Sequence, residues 1–161
     1  MRAPRSLPAA RARRAARGFT LVELLIVTTL LAVLLAAGMP SFAEFMRNQR
    51  VKTASFDLFS SLVVARSEAL TRNASVTLTP TGGTWSNGWT VTEPGGIVIR
   101  EQEAIANVAI AGPASVVYTG SGRLNAGLAP QFELTAAGSS VVSRCISIDL
   151  SGRPVSKAAQ C

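Results

Sequence analysis

The sequence predicts an α+β protein: a long N-terminal helix, half transmembrane and half amphipathic, packed on an antiparallel β-sheet domain. Three observations carry this. Phe19–Met39 is a 21-residue run whose only charge is Glu23. The residues after it, to about position 72, repeat apolar side chains at helical spacing. From Ala74 onward, short β-prone segments alternate with Gly, Pro, Asn and Ser. The organisation expected is a basic leader over 1–18, a membrane-spanning helix over 19–39, an amphipathic helix over 40–73, and a β-domain over 74–161.

The leader accounts for most of the charge. The 161 residues carry sixteen Lys and Arg against nine Asp and Glu. Six of the basic residues are Arg2, Arg5, Arg11, Arg13, Arg14 and Arg17, with no acid among them. The other 143 residues hold ten basic and nine acidic side chains, a net of +1. A strongly basic balance ordinarily points to nucleic acid, but here it describes the leader and not the body. With 48% hydrophobic and 16% charged residues, the chain is not of disordered composition.

At about 1.5 Å per residue, Phe19–Met39 would reach roughly 31 Å, close to the hydrocarbon thickness of a bilayer. Arginines ahead of it favour a cytoplasmic N-terminus and an exported body. A cleaved signal peptide could use Ala36-Ala37-Gly38 as its small-residue site, but the apolar run is long for one. Arg13-Arg14 is a weak match to a twin-arginine signal. A plain membrane anchor is the remaining simple reading. None of these explains a carboxylate in the apolar run, which costs roughly 2–3 kcal/mol in hydrocarbon and ordinarily faces a partner. Were the chain cut between Gly18 and Phe19, a new α-amino group would stand one turn from Glu23. It could pair with Glu23 in the same subunit or in a neighbour.

The string Arg17-Gly18-Phe19-Thr20-Leu21-Val22-Glu23-Leu24-Leu25 resembles the processing site of type IV prepilins and type II secretion pseudopilins. The resemblance implies cleavage by a prepilin peptidase between Gly18 and Phe19, N-methylation of Phe19, and a role for Glu23 in recruiting the subunit to a filament. Pro40 stands where many pilins have a helix-loosening proline; a proline removes a backbone donor and kinks or ends a helix.

In the amphipathic half, Val51, Leu58, Phe59, Leu62, Ala65, Ala69 and Leu70 share one face, and Asp57, Ser60, Ser61, Glu68 and Thr71 the other. Arg66 interrupts the apolar face, either snorkelling to the helix edge or meeting another subunit. Ala65–Asn73, then Val76-Thr77-Leu78, then Trp85-Ser86-Asn87-Gly88-Trp89 are similar to the GspH/FimT branch of H-type pseudopilins and minor pilins. The resemblance covers residues 17–92, and it implies a type IV pilin-like fold. Many relatives have a cysteine after the Val-Thr-Leu strand, where this chain has Thr79.

Expected strands are Ser75–Thr79, Trp89–Thr92, Ile97–Glu101, Ala106–Ile110, Ser115–Tyr118, Gln131–Thr135 and Cys145–Asp149, forming one antiparallel sheet on the helix. Trp85 and Trp89 alternate along one line, as core residues or as a stacking platform. Gly88 between them marks a bulge or a close backbone approach.

Cys145 and Cys161 are the only cysteines. In an oxidising envelope compartment they would join, closing a terminal loop worth about 3 kcal/mol in the chain-entropy model; two free thiols are the alternative. A terminal disulfide loop also occurs in pilus-type relatives. Some FimT-like competence pilins bind DNA through a C-terminal Gly-Arg-x-Arg element. Only Gly152-Arg153 matches it, with Val155 at the second basic position. Arg144, Arg153 and Lys157 are the candidate phosphate contacts, and a solvated turn is the plainer reading.

The chain contains no histidine, nucleophile elbow, phosphate-cradling glycine loop or zinc-ligand spacing. The expectation is therefore a protein with no cofactor, catalytic residue or metal, and the resemblance implies a non-enzymatic filament subunit. It would be a minor pilin or pseudopilin of a Gram-negative inner membrane, with its C-terminal domain in the periplasm. Its partners would be prepilin peptidase, other pilins or pseudopilins, an inner-membrane assembly platform and membrane lipid. It would serve type II secretion or type IV pilus biogenesis, and a DNA-binding competence pilin is the alternative.

Overall fold

The computed structural model describes residues 18–125, 127–136 and 143–161; residues 1–17 of the basic leader lie outside them. The chain divides after Pro40 into two units. Helix α1 (Leu21–Arg72) contributes to both.

In the first unit, the start of α1 is set by Thr20, whose Oγ1 accepts the Glu23 backbone N–H at 3.2 Å. This is the capping-box arrangement Thr-x-x-Glu, which satisfies an otherwise orphan donor of the first turn. Thr28 and Thr29 donate their hydroxyls to the carbonyls of Leu25 and Ile26, so neither needs a solvent partner. The large apolar side chains from Phe19 to Met39 are exposed all round the helix. Among the described residues no single helix is long and apolar enough to cross a membrane. Leu21–Ala37 passes that test only together with Ser41–Arg72; alone it covers about 25 Å at the helical rise.

The second unit has its own core. Val51, Ala54, Leu58, Leu62, Ala65 and Ala69 form the buried stripe of α1. The periodicity places most of it correctly, with two exceptions. Ser61 is buried, not outward, because its hydroxyl donates to Asp57 O at 2.9 Å and so loses no partner on leaving water. Leu70 is half exposed at the end of the stripe, lying over Gly122.

The stripe is covered by two four-stranded antiparallel sheets, not the one expected. The strands are β1 (Val76–Pro80), β2 (Trp89–Thr92), β3 (Val98–Gln102), β4 (Val108–Ala111), β5 (Val116–Tyr118), β6 (Gln131–Ala136), β7 (Ser143–Ile148) and β8 (Pro154–Lys157). One sheet runs β3-β2-β1-β5 and the other β4-β6-β7-β8. The chain crosses to the second sheet for β4 and returns to the first for β5. Strand β8 was expected to be a turn. It pairs with β7 in the register Ile148↔Pro154 to Cys145↔Lys157. Its proline is tolerated because β8 is an edge strand, where a missing donor costs no ladder bond.

Trp85 stands in a 3₁₀ turn (Trp85–Asn87), not on the β2 line. Both indoles are buried, which removes a stacking platform. Trp85 meets Phe132 edge-on at 4.9 Å and donates Nε1–H to Pro113 O at 2.7 Å. Gly88 is the close approach expected: φ is +94°, and a Cβ there would lie 2.1 Å from Gln102 O. Where relatives have a cysteine, Thr79 faces Thr90 across the β1–β2 ladder, hydroxyls 3.3 Å apart.

Candidate functional site

The N-terminal candidate residues gather at the start of α1. Gly18, Phe19 and Thr20 are exposed and non-helical, and the helix begins directly after them. The Gly18–Phe19 bond therefore lies outside the helical ladder, in the kind of backbone a peptidase can reach. A Cβ at Gly18 would meet nothing within 4 Å, so no neighbour among the described residues calls for a glycine there. Glu23 occupies the first turn, where a carboxylate favours the positive end of the helix dipole. Pro40 is the last residue of the first unit. Thr20 was not singled out from the sequence, although Thr-x-x-Glu before an apolar run is a readable signature.

The C-terminal candidates are positioned by the β7–β8 hairpin. Asp149 organises its turn: Oδ1 accepts the Ser151 hydroxyl and, at 3.0 Å, the Arg153 backbone N–H. These two bonds hold the Asp149 carboxyl below the ordinary carboxylate range, the Ser151 bond foremost. Gly152 has φ +84°, and a Cβ there would come within 2.1 Å of Gly122 O, so the turn requires glycine. Cys145 and Cys161 are joined, Cα atoms 5.0 Å apart.

The three cations do not form one cluster. Arg144 and Arg153 border a cavity of about 460 Å³ between α1 and β8, with Lys52 and Phe56 on its helical side. Lys157 is not part of it. It opposes Cys145 in the ladder, while Ser156, which opposes Ile146, faces the helix with its Oγ 3.2 Å from Ser55 Oγ. Lys157 is exposed and lies outside the residues that border the cavity. Lys52 was missed because only the position of β8 brings it to Arg144. Arg66 makes contacts within its own chain: Nε–H donates to Gly122 O at 3.0 Å and an Nη2–H to Ser151 O at 3.1 Å.

A model of the family described as type II transport protein GspH matches residues 54–152, more than half of the chain. The chain belongs to the GspH family. The match runs well past residue 92, through the strands where no motif is evident by eye. Residues 13–39 of this GspH-family chain match the prokaryotic N-terminal methylation motif. No curated protein matches it. Its fold is similar to that of the type IV minor pilin FimU of Pseudomonas aeruginosa strain PAO1. One crystal form gives a TM-score of 0.62 at 19% identity, covering 70% of this chain and 92% of FimU. A second gives 0.59 at 19% identity, covering 66% and 91%. The GspH-family chain thus has the type IV pilin fold: a long N-terminal helix packed on antiparallel sheets. Family and methylation motif together make it a structural pseudopilin of the GspH/FimT type, carrying a terminal disulfide.

Proposed function

We propose that this protein is a minor filament subunit, cut between Gly18 and Phe19 by a prepilin peptidase and N-methylated on Phe19. Residues 19–39 hold it in the inner membrane by a single pass, with the N-terminus cytoplasmic and the domain over 74–161 periplasmic. From there it enters or initiates a short filament for type II secretion or type IV pilus biogenesis, drawn from lipid by an assembly platform. One observation carries this reading: an exposed, non-helical Gly18–Phe19 bond directly precedes a capped helix whose apolar side chains have no cover and whose first turn holds Glu23. An uncovered apolar helix needs lipid or neighbouring helices around it, and the carboxylate needs a positive partner. The amine freed at Phe19, in the same subunit or a neighbour, supplies one. Pro40 loosens the helix between membrane and domain during that transfer.

The test is a non-reduced intact mass of the protein from inner membranes. A chain starting at Phe19, heavier by one methyl and lighter by the two hydrogens of the disulfide, is expected. A start at Met1 in cells with active prepilin peptidase would leave a plain anchored domain, and a start at Met39 a secreted one. Glu23→Ala is expected to leave processing intact while filament incorporation is lost.

A DNA-receptor role is the second reading, favoured by Arg144, Arg153 and Lys52 around one cavity. It predicts that Arg153→Ala weakens DNA binding at low salt and lowers the salt slope by about 1. Unchanged binding removes it. The near-neutral body and the place of Lys157 outside that cavity weigh against it.

A further inference from the structure

The groove beside β8 has a chemistry that another part of the same chain complements. Its floor is apolar: Phe56 is 70% exposed and Val155 40%. Its rim is basic, with Lys52, Arg144 and Arg153, and no acidic residue lines it. Among the described residues, none of these three cations forms an ion pair. The other free edge of interest is β3, the outer strand of the first sheet. It carries the opposite charge: Glu101 in the strand and Glu103 just past its end are exposed and in no ion pair among the described residues. Beside them Ile97 and Val98 are exposed apolar residues, at 63% and 51%. The one cation of β3, Arg100, is turned to the helix, where it donates to Ser60 Oγ at 3.1 Å.

The two edges stand at opposite borders of the buried stripe of α1. Strand β8 meets Ser55 and β3 meets Ser60. These positions are about 140° apart around a helix of 3.6 residues per turn. The arc between them that escapes the sheets contains Lys52 and Phe56. Two β8 edges would bring Arg153 and Lys157 against their like, and two β3 edges would oppose Glu101 and Glu103. Like charges facing each other across a strand pair are destabilising, and charged edges are a common guard against indiscriminate pairing. An unlike pair removes that repulsion and covers apolar surface on both sides. Such a contact is heterologous, so one copy meets a second without opposing like edges.

We propose that the groove between α1 and β8 docks the β3 edge of a second copy of this chain, head to tail. Phe56 and Val155 would meet Ile97 and Val98, and Arg153 and Lys52 would meet Glu101 and Glu103. The rim charges set partner choice and register more than affinity. This rests on the filament reading above, in which subunits pack side by side.

Two differently tagged full-length copies are co-expressed, one carrying Val98→Cys and the other Val155→Cys. Membranes are treated with a short bis-maleimide, which leaves the Cys145–Cys161 disulfide alone. A dimer bearing both tags is expected from the mixed pair and from neither variant paired with itself. Arg153→Glu in the Val155→Cys copy should remove that dimer, and Glu101→Arg in the Val98→Cys copy should restore it. In the wild-type chain, a zero-length carbodiimide should join Lys52 or Lys157 to Glu101 or Glu103 between isotopically light and heavy copies. Loss of both cross-links, in chains that begin at Phe19 and keep the disulfide, overturns the docking and leaves the filament reading standing. A dimer formed as readily by Val155→Cys with itself overturns it in favour of a symmetric contact. A chain that still begins at Met1 defeats the filament reading separately, whatever the cross-links show.

Discussion

Arg66 leaves the apolar stripe of α1 to donate its Nε–H to Gly122 O at 3.0 Å. The same guanidinium reaches Ser151 O at 3.1 Å, so one side chain ties the helix to both a turn after β5 and the β7–β8 turn. The two turns also meet directly, where Gly152 packs against Gly122 O. A planar guanidinium with several donors in a fixed fork suits two carbonyls at once, and an ammonium does not. Hydrogen bonds from a charged group contribute about 1.5–3 kcal/mol when well shielded and less when partly exposed, as Arg66 is. Arg66→Met keeps the packed stem and is expected to lower stability by about 1–2 kcal/mol. Arg66→Lys should recover less than half of that. Urea unfolding of the full chain in detergent measures both, and a neutral Arg66→Met would mean the clamp contributes nothing.

At Gly88 the backbone constraint is double. The residue has φ +94°, and a Cβ would stand 2.1 Å from Gln102 O, a backbone atom of β3 that cannot swing aside. Gly95 has a similar φ of +98° but nothing within 4 Å of its Cβ position. The pair separates the two costs. Gly95→Ala bears only the left-handed conformation, about 1–2 kcal/mol. Gly88→Ala bears that and the collision, and is expected to cost about 3 kcal/mol or more and to loosen the β2–β3 pairing. Thermal melts of the two variants check this; equal losses would mean that β3 yields to the intruding methyl.

Much of the fold is legible in the sequence because it is written in local periodicity. The stripe from Val51 to Ala69, the strand Trp89–Thr92 and the turn glycines all follow from spacing that neighbouring residues share. Most of the features that escape are set by partners distant in the chain, and Ser61 is the local exception. Ser61 reads as polar surface until its hydroxyl finds Asp57 O one turn back. Strand β8 reads as a turn because Ser151, Gly152 and Pro154 are turn formers, and only pairing with the β7 edge draws the chain from Pro154 to Lys157 into an extended strand. The division of the cations has the same origin. Once residues 154–157 are a strand paired with β7, Arg144, Arg153 and Lys52 border one cavity and Lys157 lies outside it. The partners of Arg66 are carbonyls 56 and 85 residues away, which no spacing announces. The processing motif is legible for a different reason. Gly18, Phe19 and Thr20 are exposed ahead of the helix, and nothing in the packing obscures them.

The Cys145–Cys161 bond joins residues 16 apart and ties the C-terminus to β7, with β8 inside the loop. A loop of about 15 residues is worth roughly 3 kcal/mol in the chain-entropy model. Because β8 is a short edge strand, its loss on reduction should be local before it is global. Cys161→Ser is expected to speed amide exchange in Val155, Ser156 and Lys157 well ahead of β1 and β2. It should also free Arg153 and Val155 from a fixed position beside α1. Exchange rising equally in both sheets would show that the bond stabilises the whole domain and not its edge.

Tyr118 is the only tyrosine, which makes its titration readable without interference. Its ring is fully buried and its hydroxyl has no hydrogen-bond partner among the described residues. Burial pushes the phenol pKa well above the ordinary value of about 10; Arg66 pulls it down, and Asp149 raises it further. The sign follows from linkage. Above about pH 10 the unfolded chain releases the phenolic proton and the folded chain keeps it, so the unfolded state gains. The stability tied to the neutral phenol is complete below the unfolded value and is lost as pH rises toward the folded one. Phenolate absorbance is therefore expected to stay absent past pH 10 and to appear together with unfolding followed by circular dichroism. Tyr118→Phe keeps the ring, removes an unpartnered hydroxyl and should be neutral or stabilising near pH 7. It should also flatten the alkaline limb of the stability curve. Phenolate forming near pH 10 in a chain that is still folded would mean that the hydroxyl reaches water, and the case for its burial would fail.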